Sequence, residues 1–243
     1  MITGTHSDPI GFETLEIFSG TSAINQWLYD NIKKFASGKI LEIGSGIGNI
    51  SAHLLRDHTD VSLSDLRPEY CALLRKKFGK DLHLQQVYEL DLSLSDFKNK
   101  YVDLLEKFDT VIALNVIEHI ENDSLAIQNA KSLLRRNGKL VILVPAGQSL
   151  YNTLDKELGH YKRYSKTGLK NLLRTAGFEI SYCSYFNAAG ILGWWLSGTV
   201  FHDKVITSSK LHLFNQLVPV FRILDWFITP VTGVSVISAG IKN

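Results

Sequence analysis

The stretch that most limits how this chain can fold is Gly38-Lys39-Ile40-Leu41-Glu42-Ile43-Gly44-Ser45-Gly46-Ile47-Gly48-Asn49-Ile50. A short apolar run ends in three glycines at alternate positions and an amphipathic segment from Asn49 to Arg56 follows, so the spacing predicts strand, tight turn and helix. Glycine suits such a turn because it tolerates φ > 0, and because the missing Cβ lets a ligand or the next helix approach the backbone. A dinucleotide fingerprint, G-x-G-x-x-G, requires its third glycine at Asn49; here it falls one residue early, at Gly48, with Glu42 two residues before Gly44. Val61-Ser62-Leu63-Ser64-Asp65 reads as a second short strand ending in a carboxylate about 20 residues on, where this topology places an acceptor for a ribose diol. The alternative for Asp65 is a turn or helix cap before Pro68.

The same alternation continues along the chain. From Phe12 to Phe35 apolar residues recur at helical spacing, broken at Ser19-Gly20-Thr21-Ser22, which can cap a second helix; Trp27 is expected to pack against the sheet. Pro68 opens a helix that runs to Phe78 with basic residues near its end. A third strand is expected from Leu82 to Val87, and Phe108 to Asn115 is the near-continuous apolar run of a central parallel strand. A helix from Ser124 to Leu134, ending at Arg135-Arg136-Asn137-Gly138, precedes a fifth strand from Lys139 to Val144, stopped by Pro145. A helix from Gly168 to Ala176 capped by Gly177, a strand from Phe178 to Tyr185 and a last strand from Val234 to Ile241 complete the pattern of a doubly wound, mostly parallel α/β sheet. At 243 residues, 45% of them hydrophobic, the chain fits one such domain with a decorated edge. The expected division is a helical cap (1–37), a core (38–185), an apolar insertion (186–230) and a last strand (231–243).

The acidic-x-Gly-x-Gly-x-Gly form resembles the first motif of the class I S-adenosylmethionine (SAM) methyltransferases, and Val116-Ile117-Glu118-His119-Ile120 resembles the fourth-strand motif of their ubiquinone/menaquinone-type small-molecule branch. The resemblance covers roughly Ile40 to Phe178. It implies a seven-stranded Rossmann-like sheet whose last strand runs antiparallel between the fifth and sixth, with SAM as cofactor and S-adenosylhomocysteine as product. It implies that Glu42, Gly44, Ser45, Gly46, Gly48, Asp65, Leu66 and Asn115 surround the cofactor. Asp91 would face the adenine amino group and Leu92 would pack on the ring, with Asp96 or Glu89 as alternatives to Asp91. Enzymes that methylate exocyclic nitrogens of nucleic-acid bases carry Asn/Asp-Pro-Pro-aromatic where this chain has Asn115-Val116-Ile117-Glu118, and a formal net charge of +2 gives no global attraction to nucleic acid.

SAM is already an activated methyl donor, so the protein must mainly align the acceptor. Orientation supplies up to about 7–11 kcal/mol in favourable systems, against about 10²–10⁴-fold from a general base, which is therefore optional. Acceptors of open α/β sheets lie outside the carboxyl ends of the strands, which directs attention to Tyr151-Asn152-Thr153-Leu154-Asp155-Lys156-Glu157-Leu158-Gly159-His160-Tyr161-Lys162-Arg163-Tyr164. This stretch resembles the Gly-His-Tyr/Arg-Arg-Tyr segment of bacterial methyltransferases acting on small, saccharide or lipid-type acceptors. His160 is the candidate base or orienter, with Tyr161, Arg163, Tyr164 and His119 lining the acceptor pocket. The alternative makes Asp155, Lys156 and Lys162 a solvated helical face and His160 a loop-packing residue. Lys162, Arg163, Lys166, Lys170 and Arg174 form a basic set, either an anion contact or a solvated face.

Phe186 to Phe201 carries no charge yet is shorter than the ~20 residues of a membrane-spanning helix. Leu211 to Ile228 places Phe214, Leu217, Val218, Phe221, Leu224 and Ile228 on one expected face, with Arg222 and Asp225 off it and Pro219 as a kink. The insertion reads as a substrate lid, a peripheral membrane contact or a dimer face, with plain burial in the core the default for most of its side chains. Cys71 and Cys183 show no metal-ligand spacing and no metal is expected; few thiols, and a start at Met1 to Pro9 without a leader pattern, point to the cytoplasm. Two rival readings stand beside a methyltransferase for a small-molecule, saccharide or lipid-linked acceptor: an NAD(P)-dependent oxidoreductase and a catalytically silent SAM-fold binding protein. Against the first, the chain's Tyr-x-x-x-Lys, Tyr29 to Lys33, precedes the first strand instead of following the fourth.

Overall fold

The computed structural model describes residues 9–243. The first eight residues, which fall within the expected cap and the stretch read for targeting, lie outside the described residues. The chain opens with α1 (Pro9–Ser19) and α2 (Ser22–Ile32), separated as the Ser-Gly-Thr-Ser break predicts; the Thr21 hydroxyl turns back to the Phe18 carbonyl at 2.7 Å. It then alternates through β1 (Ile40–Ile43), α3 (Ser51–Asp57), β2 (Val61–Asp65), α4 (Pro68–Phe78), β3 (Leu84–Glu89), the short α5 (Phe97–Lys100), β4 (Phe108–Leu114), α6 (Asp123–Leu133) and β5 (Leu134–Pro145). After these come α7 (Thr153–Glu157), α8 (Lys166–Thr175), β6 (Phe178–Phe186), α9 (Gly190–Trp195), a π-helical turn (Leu196–Val200), α10 (Ser208–Ile228) and β7 (Ser235–Lys242).

The seven strands form one sheet in the order β3-β2-β1-β4-β5-β7-β6. Neighbours from β3 to β5 are parallel, and β7 runs antiparallel between β5 and β6, pairing Ile142 with Ser238 on one side and Ser238 with Cys183 on the other. Strand order reverses between β1 and β4, so a crevice opens beyond their carboxyl ends, where ligands of such sheets bind. The expected fold is the observed one.

The starts of the third and fifth strands are the strand starts that differ most from the sequence reading. The third strand begins at Leu84, because Leu82 lies in the preceding turn and is almost fully exposed. The fifth begins at Leu134, directly after α6: Leu134 pairs with Phe108, a register shift follows, and Asn137, not Gly138, takes the left-handed φ of 64°.

Alternate residues of the buried strands face two cores. Leu140, Ile142 and Val144 of β5 join Leu169 and Leu173 of α8 on one face of the sheet; Val141 and Leu143 join α2, α3 and Leu211 and Val218 of α10 on the other. Trp27 packs as expected, its ring 4.8 Å from that of Phe186.

Helix α10 departs from its expected face. Leu211, Phe214, Val218 and Phe221 meet the core, whereas Leu217, Leu224 and Ile228 are exposed with Val220, Ile223, Trp226 and Phe227. Asp225, placed off the packed face in the sequence reading, is buried because its carboxylate receives the Asn187 and Ala188 amides at 2.9 and 2.6 Å, satisfying backbone donors where α9 begins. No helix of the described residues is long and apolar enough to cross a membrane.

Candidate active site

A cavity of about 1620 Å³ runs from the glycine turn across the ends of β1, β4 and β5 to the insertion. That exceeds the ~300–1,000 Å³ of a typical small-molecule pocket and accommodates a cofactor and an acceptor together.

At one end the β1–α3 turn is tied to β2. Ser45 N donates to the Ser64 carbonyl at 2.8 Å, and Gly46 N donates to Asp65 Oδ2 at 2.9 Å. The other oxygen of Asp65 receives Arg67 N at 3.0 Å. Burial raises the Asp65 carboxyl above its ordinary value against those backbone donors, and each oxygen retains a second lone pair. Glu42 is buried beneath the turn and accepts from the Ser51 hydroxyl; burial pushes its carboxyl up to about 7. Gly46 has φ +54°, and a Cβ there would lie 2.8 Å from Leu15 Cδ1, so α1 closes over the turn at this residue. The Asn49 side-chain amide holds α1 in place through the Leu15 carbonyl at 3.0 Å.

Of the expected cofactor residues, Glu42, Gly44, Ser45, Gly46, Asp65, Leu66, Asp91, Leu92 and Asn115 line the cavity. Gly48 does not. Its φ is +82° and a Cβ would lie 2.4 Å from Phe78 Cε2, so its glycine serves the packing of α4 against the turn. Leu66 is exposed at the rim, Leu92 is buried, and Asp91 is fixed by accepting the Ser93 amide and hydroxyl at 2.8 and 2.6 Å. Asn115 turns the chain out of β4 with φ 53° while its amide reaches the Leu143 carbonyl.

The donor set fits SAM. A buried carboxylate with spare lone pairs stands beside a positive-φ glycine turn, and apolar Leu66 and Leu92 wall the space next to Asp91. These are the groups that a ribose diol, a close backbone approach and an adenine ring require.

The connection after β5 forms the other end. The 146–164 segment is fastened by a parallel bridge between Ala146 and Tyr164, and Tyr161 N donates to the Glu118 carbonyl at 2.8 Å. Within it Asp155 is fully buried and organises its neighbours. Its carboxylate receives His160 Nδ1 at 2.8 Å, Arg163 Nε at 2.9 and 3.0 Å, Asn152 N at 3.0 Å and Trp194 Nε1 at 3.3 Å. Burial acts to raise the Asp155 carboxyl, but the hydrogen bonds and the Arg163 charge outweigh it and hold the group below its ordinary value. An ionised acceptor fixes the tautomer: His160 must present Nδ1–H to Asp155, which leaves Nε2 as its second nitrogen.

His160, Tyr161 and His119 line the cavity, and the His119 ring meets that of His160 edge-on at 4.7 Å. Arg163 also borders it, yet its guanidinium is committed to Asp155 and to the Ala146 carbonyl at 3.0 Å. Tyr164 is corrected: it does not line the cavity but is buried, donating to Asp123 Oδ2 at 3.0 Å, and burial followed by that carboxylate raises its phenol. The basic set divides likewise, since Arg163 is buried and Lys162 pairs with Asp123 at 2.7 Å.

Three participants were not singled out from sequence. Asp155, weighed as part of a solvated face, was signalled by Asn152-Thr153-Leu154-Asp155, a capping-box spacing that the structure forms. Glu118 is buried with neither carboxylate oxygen partnered among the described residues, and burial pushes it up to about 8. It brings an oxygen to within 4.8 Å of a nitrogen of His119 and of His160, a convergence able to hold a proton or a cation. Trp194, read only as part of the apolar insertion, reaches the site from there; no sequence signal linked it to Asp155.

The sequence profile of a family described as "Methyltransferase domain" matches residues 22–182. A ubiquinone biosynthesis O-methyltransferase of Xanthomonas euvesicatoria pv. vesicatoria is 26% identical over 161 residues, covering 60% of this chain and 65% of that protein. The chain thus spans somewhat under two thirds of the length of the first such relatives. Among solved structures, a SAM-dependent methyltransferase from Archaeoglobus fulgidus superposes with a TM-score of 0.63 at 14% identity, covering 97% of this chain and 100% of that one. A Haemonchus contortus phosphoethanolamine N-methyltransferase 2 in complex with SAM gives 0.60 at 16% identity, covering 97% and 58%. The family match over most of the sheet, together with a fold shared with these enzymes, overrides the oxidoreductase reading, and the chain belongs to the methyltransferase domain family, within the class I SAM-dependent methyltransferases.

Proposed function

We propose that this protein transfers a methyl group from SAM to an oxygen or carbon of a small-molecule, saccharide or lipid-linked acceptor, with His160 as base or acceptor orienter. The observation that carries the reading is the His160–Asp155 pair beside the cavity, 2.8 Å apart, with the carboxylate fully buried. SAM supplies a methyl group on a sulfonium whose leaving group is a neutral thioether, so little activation is asked of the protein. Glu42, the Gly44–Gly46 backbone, Asp65, Leu66, Asp91 and Leu92 would hold it.

The protein residues then manage the acceptor. With Nδ1–H directed to Asp155, His160 Nε2 is the nitrogen able to take a proton from an acceptor hydroxyl as the oxygen–carbon bond forms. The imidazolium that results lies beside an ionised carboxylate, which stabilises it, and Arg163 keeps that carboxylate charged. Tyr161 and His119 stand at the same wall, and the insertion contributes Trp194, Leu196, Phe201, Leu211 and Phe214, an apolar side suited to a hydrophobic portion of the acceptor.

Calorimetry with SAM, S-adenosylhomocysteine and NADH, followed by a mass-spectrometric screen of phenolic, saccharide and prenylated acceptors, tests the reading. Binding of the first two, with methylated product that falls about 10²–10⁴-fold in His160→Ala, is the expected result. SAM binding without turnover on any acceptor would favour the silent binding protein, and binding of neither SAM nor S-adenosylhomocysteine would overturn the proposed reading.

A further inference from the structure

Four donors converge on the Asp155 carboxylate, and three of them, Asn152 N, His160 Nδ1 and Arg163 Nε, come from the connection that contains it. The fourth arrives from 39 residues away: Trp194 Nε1, on the apolar insertion, donates to Oδ2 at 3.3 Å. The same indole lies 4.6 Å beneath the Arg163 guanidinium, covering the cation that keeps Asp155 ionised. A second fastening runs beside the first. The Asn152 side-chain amide reaches the Trp194 carbonyl and Thr199 Oγ1, both at 3.3 Å, and a Cβ on Gly198 would fall 2.1 Å from Asn152 Oδ1, so the π-helical turn rests directly on the cap of α7. Elsewhere α9 is loosely held: none of its residues is buried, and Leu192 and Trp195 face outward.

We propose that Trp194 is a positioning residue for His160, and that seating of the insertion and orientation of the histidine are one event. A carboxylate has about four lone-pair sites, and Asp155 uses the indole to complete its set. When the insertion lifts, Asp155 loses a donor and Arg163 loses its cover, so the carboxylate is free to rotate away from His160 Nδ1. His160, Tyr161, Trp194, Leu196 and Phe201 all line the cavity, so an acceptor seated beside His160 also meets the insertion that carries the indole. The histidine is thereby held in its working tautomer when the apolar wall is closed on the acceptor. This inference rests on the reading of His160 as base or orienter, but its test does not require turnover.

The protein labelled with ¹⁵N-histidine reports the tautomer through long-range proton–nitrogen spectra recorded at alkaline pH. In the wild type His160 is expected as the Nδ1–H form alone. Trp194→Ala is expected to give a mixture of tautomers, with amide exchange across 152–163 faster by about tenfold or more. Trp194→Phe, which keeps a ring over Arg163 and removes only the donor, should fall between. If Trp194→Ala unfolds, Gly198→Ala serves instead, because it wedges the π-helical turn from Asn152 without altering the indole, and the same loss of tautomer is expected. A single Nδ1–H tautomer and unchanged exchange in the folded variants would overturn the proposal. Loss of activity in His160→Ala with no tautomer change in Trp194→Ala would remove this coupling and leave the functional reading intact; the converse would separate them the other way.

Discussion

The Gly46 amide donates to the Asp65 carboxylate at 2.9 Å, joining the glycine turn of β1 to the end of β2. One bond thus sets two features of a cofactor pocket, the path of the turn and the direction of the acid. Asp65→Ala removes the carboxylate from both, and SAM and S-adenosylhomocysteine affinity is expected to fall by about 1.5–3 kcal/mol for each lost bond to the charged group. Calorimetry measures this directly, and undiminished affinity would take Asp65 out of the site.

Two glycines of the same turn should behave differently. Gly46→Val strains a residue at φ +54° and drives Leu15 from its seat, so cofactor affinity should be lost more completely than in Asp65→Ala. Gly48→Ala strains a residue that faces Phe78 instead, so the melting temperature should drop while the folded fraction still binds SAM. Equal effects on affinity would place Gly48 in the pocket after all.

Glu118 makes stability depend on pH. Its folded carboxyl is raised to about 8 by burial, so between the ordinary carboxylate range and that value the folded state retains a proton the unfolded chain has released. The stabilisation is fully present at acid pH and is lost as pH rises through the folded value, with a slope of at most about 1.4 kcal/mol per pH unit from this group. Glu118→Gln should flatten the melting temperature between pH 5 and 8 relative to wild type and raise it most at pH 8. Parallel melting curves in the two proteins would show that Glu118 is partnered or solvated in solution.

The exposed side of α10 sets the membrane test. Trp226 and Phe227 are 76% and 66% exposed, whereas Trp194 is half-buried against Arg163, so the residues to change are the former pair. Addition of liposomes is expected to blue-shift tryptophan fluorescence and co-sediment the protein, and Trp226→Ala/Phe227→Ala to abolish both. The basic residues of α8 lie on the opposite face of the sheet from α10, so reversing Lys166, Lys170 and Arg174 should leave vesicle binding unchanged. Absence of any shift or co-sedimentation in the wild type would leave a soluble acceptor as the better reading.

Much of the architecture was legible because it depends on local rules. Apolar runs of strand length, glycines at alternate positions and Pro68 at a helix start each act within a few residues, and β1, β2, α4 and β4 lie where those signals place them. Asp65, Asp91 and Leu92 were legible for a related reason, since a strand end determines where the next side chain emerges at the crevice. Contacts made across the fold were not legible. Gly46 and Gly48 look alike in sequence, and only the approach of Leu15 to one and Phe78 to the other separates a residue of the cavity from a residue of the packing. Asp155 could be read as part of a charged helical face until Arg163, His160 and Trp194 met on it, and Asp225 read only as off the apolar face until two amides of the β6–α9 connection were found to need it. The sequence by itself determined the order of the elements and the chemistry of the glycine turn, because both follow from backbone conformation and hydrophobic period. Which charges are buried, and which apolar side of α10 faces the core, was decided by tertiary structure alone, because burial of a polar group depends on donors supplied from distant parts of the chain.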